Sequence, residues 1–382
     1  MITYKLSEIA RSTKGKKPKS VSKEKTDGFE IPYVDIKAFE KGIVDNYTDG
    51  ENCTFCKPDE VLIVWDGARC GFVGRGVKGA IGSTLAKISS DKYTNDFLFY
   101  FLQSKYKVLN SSPRGVGIPH IEPNLLWNFE IPDVDKTTQR AIVTRIETLF
   151  AELDKAVQHL RTAQQQLKTY RQAVLNHWLN NDDGKWEMVK LKDICLSISD
   201  GDHLPPKRTT QGIPFITISD IKGNCIDYSD VSYMTEEYYE SLSNNRKAQI
   251  GDILYTVTGS FGIPVMVEDD KKFCFQRHIG LVRPNPKLAA QKWLYYMMQS
   301  PIIYSQANEK ATGTAQKTVT LTVLRDFNLP LPPLSDQHRI VQEIESRLSQ
   351  ATATETYIEN ALQQAEALRQ SILKKAFSGE LV

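Results

Sequence analysis

The chain repeats itself, and the repeat has two parts with different rules. Gln139–Phe150 reads QRAIVTRIETLF and Gln337–Leu348 reads QHRIVQEIESRL, 198 residues later. Upstream of these segments the matches continue with changing offset. Tyr4–Ile9 answers Val189–Ile194 at 185, Ile31–Ile36 answers Ile213–Ile218 at 182, Asp59–Gly67 answers Gly251–Gly259 at 192, and Phe97–Ser104 answers Trp293–Ser300 at 196. From Gly115 and Gly313 onward the offset stays at 198 without a gap. Loops tolerate insertions, whereas a segment that sets a distance does not. Each half is therefore a globule of variable length followed by a segment of fixed length.

The fixed segment has helical periodicity. Apolar or small residues recur with 4,3 spacing at Ile142, Ile146, Leu149, Leu153, Ala156, Leu160, Ala163, Leu167, Tyr170 and Val174. The second copy carries Ile340, Ile344, Ala351, Thr354, Ile358, Ala361, Ala365, Leu368 and Ile372. Thr137 or Thr138, and Ser335 or Asp336, are placed to cap the helix starts. About 40 residues at 1.5 Å rise give a helix of roughly 60 Å, longer than a ~130-residue globule is wide. The two helices are therefore expected to pair, antiparallel, with Ile142 facing Ile372, Leu149 facing Ala365 and Leu153 facing Ala361. The globules read as mixed α/β (α+β). Strand-like runs are Glu60–Trp65, Ser83–Ile88, Pro214–Ser219 and Asp252–Val257, and amphipathic helices fit Asn95–Ser104 and Lys292–Ser300. The expected division is a first globule at 1–134, a helix at 135–180, a second globule at 187–333 and a helix at 334–378, with Asn180–Trp186 as the joint.

Enzyme signatures are missing from the sequence. It contains no G-x-x-x-x-G-K-[ST], no H-E-x-x-H, no G-x-S-x-G and no adenine-methyltransferase N/D-P-P-Y/F tetrapeptide. The glycines of Gly74–Thr84 lack phosphate-loop spacing and read as turns. Cys53-x-x-Cys56 offers half of a zinc site with only Cys70 nearby, so the six cysteines are expected to be free thiols in a reducing cytosol. No apolar run approaches the roughly 18 residues of a membrane span.

Net charge is only +2, so nucleic-acid binding has to come from local patches. Arg11–Lys25 holds seven Lys or Arg against one Glu, including Lys14, Lys16, Lys17 and Lys19. The matching loop of the second half, Asp200–Gly212, carries His203, Lys207 and Arg208. Further candidates on loops are Arg69, Arg75, Lys78, Arg114, His120, Ser260, Arg277, His278 and Lys317. Lysine and arginine position a protein on phosphates, and arginine also reads guanine bidentately. A coiled-coil scaffold binding only proteins explains the helices but not basic loops at matched places in both globules.

The second half in particular resembles the specificity subunit of Type I restriction–modification systems. The residues carrying this are Ile213-Pro214-Phe215, Gly251–Gly262, Gln276–Gly280, Leu329–Ile344 and Leu368–Leu381, with weaker counterparts in the first half. The resemblance implies a bacterial or archaeal cytoplasmic protein in which each globule is a target recognition domain. Together they read a bipartite, asymmetric target in double-stranded DNA. It further implies a non-catalytic chain, two methyltransferase subunits held by the helices, and restriction or translocase subunits reached through the complex. S-adenosylmethionine, ATP and Mg2+ are then expected on those partners. An antiparallel fold-back would give one chain an internal pseudo-twofold axis to match the dyad of a duplex.

Overall fold

The computed structural model describes residues 2–75, 78–115, 117–181, 184–203, 207–314 and 316–381. Residues 76–77 of the glycine-rich stretch, 182–183 of the joint and 204–206 of the second basic loop lie outside the described residues. The chain forms two compact units, residues 1–161 with 359–382, and residues 162–358. The boundaries fall inside the two long helices, Lys136–Leu179 and Leu334–Ser378, so each unit contains one globule and a portion of both helices.

In the N-terminal unit, a four-stranded antiparallel sheet runs in the order Arg11–Lys14, Leu85–Ser89, Val61–Val64, Val73–Arg75. A second sheet brings Ile31–Val34 parallel to Gly79–Ile81. Val61–Val64 is buried along its whole length, which is why its sequence is a continuous apolar run rather than an alternation. Helix Asn95–Ser111 covers the first sheet through Phe97, Leu98, Phe101 and Leu102. Ile142, Ile146 and Phe150 of the first long helix close this core together with Ile372, Leu373 and Ala376 of the second. Ile142 and Ile372, expected to face each other, thus share one core. An early stretch of one long helix lies with a late stretch of the other, so the pairing here is antiparallel.

The C-terminal unit repeats this plan. Its sheet runs Cys195–Asp200, Ile279–Pro284, Ile253–Thr256, Pro264–Met266, and Ile213–Ile216 lies parallel to Cys274–Phe275. Val174, Leu175 and Leu179 share its core with Ile340, Val341 and Ile344. One departure is local: where Asn95–Ser111 is continuous, Pro301 splits the counterpart into Gln291–Gln299 and Pro301–Lys310, with Ser300 capping the second piece.

The globule and the long helix of each unit are joined by a buried glutamine. Gln139, fully buried, accepts from the Thr94 amide (2.9 Å) and donates to the carbonyls of Val134 (3.0 Å) and Lys92 (3.3 Å). Gln337, also fully buried, accepts from Ala290 (2.7 Å) and donates to Pro332 (2.8 Å) and Leu288 (2.9 Å). Each amide therefore satisfies the backbone just before a domain helix and the backbone just before its own helix.

Two expectations need correction. Asp135, not Thr137 or Thr138, caps the first long helix, accepting from the Thr138 amide at 2.7 Å; that bond holds its carboxyl below the usual range. Ser335 and Asp336 lie inside the first turn of the second helix, where Asp336 pairs with Arg339. The helical seam is also displaced on one side. Buried or half-buried positions are Ile146, Phe150, Leu153, Val157, Leu160, Gln164, Leu167, Arg171, Val174 and Trp178, and in the second helix Ile344, Leu348, Ala351, Glu355, Ile358, Leu362, Ala365, Arg369, Ile372 and Ala376. Leu149 is half-buried and Ile340 buried beside this line. Leu368 and Tyr170 are exposed, as are Ala156 and Thr354. Arg171 and Arg369 take the place of the two large apolar neighbours. Arg171 reaches Thr352 and Glu355 (both 2.9 Å); Arg369 pairs with Asp154 and lies 4.3 Å from the Phe150 ring centroid. A long arginine satisfies its head on the facing helix while its stem fills the seam, and an apolar count does not register this.

Replacing Gln337 by alanine leaves a buried amide and two carbonyls without partners. The expected result is a loss of roughly 2–4 kcal/mol, read as a lowered denaturant midpoint at unchanged slope.

Candidate nucleic-acid interface

In the N-terminal unit Lys14, Lys16, Lys17, Arg114 and His120 gather at one end of the four-stranded sheet. Lys14 ends its strand opposite Ala86. A Cβ on the next residue, Gly15, would lie 2.2 Å from the Gly82 carbonyl oxygen, so only glycine lets the chain pass here. The Lys16 amide donates to Ile81 (3.1 Å), and Lys16, Lys17 and Lys19 leave on an exposed loop. Asp66, just past strand Val61–Val64, binds Lys14 (2.8 Å) and the His120 Nδ1 (2.6 Å). His120 and Arg114 exchange both backbone hydrogen bonds (2.9 and 3.0 Å), closing a hairpin against the same sheet end. Arg114 is exposed here; Lys78, also exposed, precedes Gly79 and so lies at the other end of strand Gly79–Ile81 from the Ile81 carbonyl that meets Lys16. The result is a mostly cationic rim organised by one carboxylate.

Arg69 and Arg75 are not brought to this rim. Arg69 pairs with Glu40 (2.9 Å) and lies over the Phe72 ring. Arg75 pairs with Asp96 (3.0 Å) and Glu147 (3.3 Å) and lies over Phe99, tying the sheet to helix Asn95–Ser111 and to the first long helix. Both stay partly exposed, at 48% and 43% of the side chain, while their guanidinium groups are held by these carboxylates.

The C-terminal unit builds the same frame with other side chains. Gly201 stands where Gly15 stands; a Cβ there would be 2.0 Å from the Phe275 carbonyl oxygen. Asp200 takes the place of Lys14 and holds His203 (2.9 Å) and Arg246 (3.5 Å). Thr312 and Thr318 pair as Arg114 and His120 do, and Thr258 bridges to Thr318 as Asp66 bridges to His120. A cleft of about 460 Å³ opens here, lined by Asp200, His203, Thr258, Arg277, His278 and Gln316 among others. Arg277 donates from Nε to His278 Nε2 (3.4 Å), and burial, then the Arg277 charge, push the imidazole pKa down. Lys317 is exposed beside Gln316, its Nζ 3.5 Å from Asn308. Exposed Ser260 sits in the turn after Thr258 and uses its carbonyl to accept from the Thr256 hydroxyl. Lys207 and Arg208 are exposed, Arg208 over the Phe215 ring.

Asp66 and Arg246 escape a search for basic runs because the residues they bind are distant in sequence or acidic, and Asp200 and Gln316 because they carry no positive charge. The equivalence of the two sheet ends is the signal that finds them. Cys56 is buried in strand Thr54–Cys56, and burial pushes its thiol up to about 11, so it stays protonated. Among the described residues no group of three or more His, Cys, Asp or Glu side chains is arranged to hold a metal ion, and no helix is long and apolar enough to cross a membrane.

The sequence matches the family described as Type I restriction modification DNA specificity domain over residues 1–160 and 183–364. It is similar to the Type I restriction enzyme EcoBI specificity subunit of Escherichia coli, 25% identical over 380 residues, covering 92% of this chain and 80% of the relative. Similarity to the Type I restriction enzyme MjaVIII specificity subunit of Methanocaldococcus jannaschii is 24% over 366 residues, covering 90% and 84%. The fold is similar to a chain solved in work described as "Structural basis underlying complex assembly and conformational transition of the type I R-M system", with TM-score 0.75, 21% identity and coverage of 100% and 98%. It is also similar to the HsdS subunit from Thermoanaerobacter tengcongensis, with TM-score 0.57, 20% identity and coverage of 100% and 97%.

Gly201→Ala forces a methyl against a carbonyl that cannot move without breaking the sheet end. The expected cost is about 1–3 kcal/mol, seen as a lower melting temperature of the full chain.

Proposed function

We propose, from the premise that this chain belongs to the Type I restriction modification DNA specificity family, that it reads a bipartite, asymmetric DNA target for a methyltransferase and a restriction complex. One observation carries this most directly. Two units with the same backbone frame end in polar, cation-bearing loop clusters whose side chains differ. Equal frames give both readers the same docking geometry, and unequal side chains give them different half-sites. The long helices set the gap between the half-sites and offer equivalent surfaces to two methyltransferase subunits. Adenine methylation with S-adenosylmethionine belongs to those subunits, and ATP- and Mg2+-dependent translocation and cleavage belong to restriction subunits in the same complex. In this reading the chain itself recognises DNA and transfers no group. The antiparallel helix pairing within each unit supports a pseudo-twofold arrangement matched to the dyad of the duplex.

A gel shift with duplex DNA, with and without methyltransferase subunits, tests the reading. Binding of protein partners without any DNA binding would favour a scaffold instead. Lys16→Ala and Lys17→Ala should each lower the slope of log affinity against log salt by about 1 and weaken all sequences alike. Removing seven residues from each long helix shortens it by about 10 Å. The methylated motif should then keep both half-sites and lose about 3 base pairs of gap. An unchanged gap would remove the spacing role from the helices.

A further inference from the structure

Arg277 belongs to the turn between strands Cys274–Phe275 and Ile279–Pro284 and lines the cleft of the C-terminal unit. Its Nε is engaged by the His278 imidazole at 3.4 Å. Burial and the adjacent guanidinium both disfavour a charged imidazole, and a neutral ring can accept at Nε2 from the Arg277 Nε. The nearest lining carboxylate, Asp200, is already used: one oxygen meets His203 at 2.9 Å and the other meets Arg246 at 3.5 Å. Across the cleft stand the neutral groups of Thr258 and Gln316. The guanidinium is engaged through its inner nitrogen, and among the described residues neither terminal nitrogen makes a hydrogen bond or ion pair.

A phosphate needs only a nearby positive charge. Arg277 is exposed, so its fork, held through Nε by His278, is presented at the mouth of the cleft, where it suits a planar pair of acceptors; on a base edge in the major groove that pair is O6 and N7 of guanine. The N-terminal unit lacks the device. The turn following Gly79–Ile81 is closed by the same backbone bonds, Gly82 to Val34 and Leu85 to Gly82, as Gln276 to Ile216 and Ile279 to Gln276. Ser83 occupies the position of Arg277 there, and Thr84 that of His278.

Resting on the specificity-subunit reading above, we infer that Arg277 reads a guanine in the half-site of the C-terminal unit, with His278 as the residue that positions its fork. The test is methylome sequencing of a host carrying the complete complex with the wild-type chain, Arg277→Ala, Arg277→Gln, His278→Gln or His278→Leu. With Arg277→Ala, one G·C position in one half-site loses its preference by roughly 10- to 100-fold, while the other half-site and the gap stay the same. Arg277→Gln moves that position from guanine toward adenine, the base a glutamine amide matches. His278→Gln, which keeps an acceptor, retains the guanine; His278→Leu, similar in bulk without an acceptor, relaxes the same position. An unchanged motif in Arg277→Ala and Arg277→Gln overturns the assignment, and so does a uniform fall in methylation at unaltered sites, the mark of a phosphate contact. Absence of any bipartite motif with the wild-type chain would instead overturn the specificity-subunit reading, and this assignment with it.

Discussion

The architecture of each unit hangs on one buried amide. Gln139 and Gln337 each take a backbone donor from the domain and give to carbonyls on both sides of the junction. A side-chain amide without water around it is tolerated only when all its bonds are made, so the domain cannot tilt on the helix without leaving several groups unsatisfied. That rigidity is what the proposed spacer role of the helices requires. A reader attached by a flexible hinge would sample many positions along a duplex, and helix length would carry no information.

Fixing the frame leaves the tips free to vary. The same sheet end, with a glycine crossing too close to a neighbouring carbonyl for any side chain, serves both units. On it the N-terminal unit sets a lysine against an aspartate, and the C-terminal unit sets an aspartate against a histidine and an arginine. The polarity of the cluster is inverted with no change in the backbone that holds it. The side chains of the cluster can thus be exchanged one at a time, at little cost to folding.

The duplication, the two long helices and the mixed α/β globules were legible because they rest on patterns that persist over many residues. The seam was half legible. Ile146, Leu153, Leu160 and Leu167 in the first long helix, and Ile344, Ile358 and Ile372 in the second, follow the apolar repeat, but the alternate line passes through Gln164, Arg171, Glu355 and Arg369. Tyr170 and Leu368 looked like seam residues because hydrophobicity was the only criterion available. The interface was legible as a set of loops and not as a set of roles. Arg69 and Arg75 resembled Lys16 and Arg114 in sequence, and only the position of Glu40, Asp96 and Glu147 separates packing cations from open ones. Asp66 and Asp200 are not legible as site residues because a search for cations passes over carboxylates, and the residues Asp66 binds lie far along the chain.

The last turns of the second long helix have a consequence for how the molecule comes into being. Phe377 stacks edge-on against Phe97 and Phe101, and Leu373 and Ala376 are buried with them in the N-terminal unit. A ribosome delivers these residues some 270 positions after the phenylalanines they cover. The C-terminal unit, by contrast, draws on one unbroken span, residues 162–358. The domain made first is therefore the one finished last, and it waits with an uncovered aromatic face while its twin is translated and closed. Such a face invites chaperones or non-native collapse, so the yield of this chain's first half depends on completion of the second long helix.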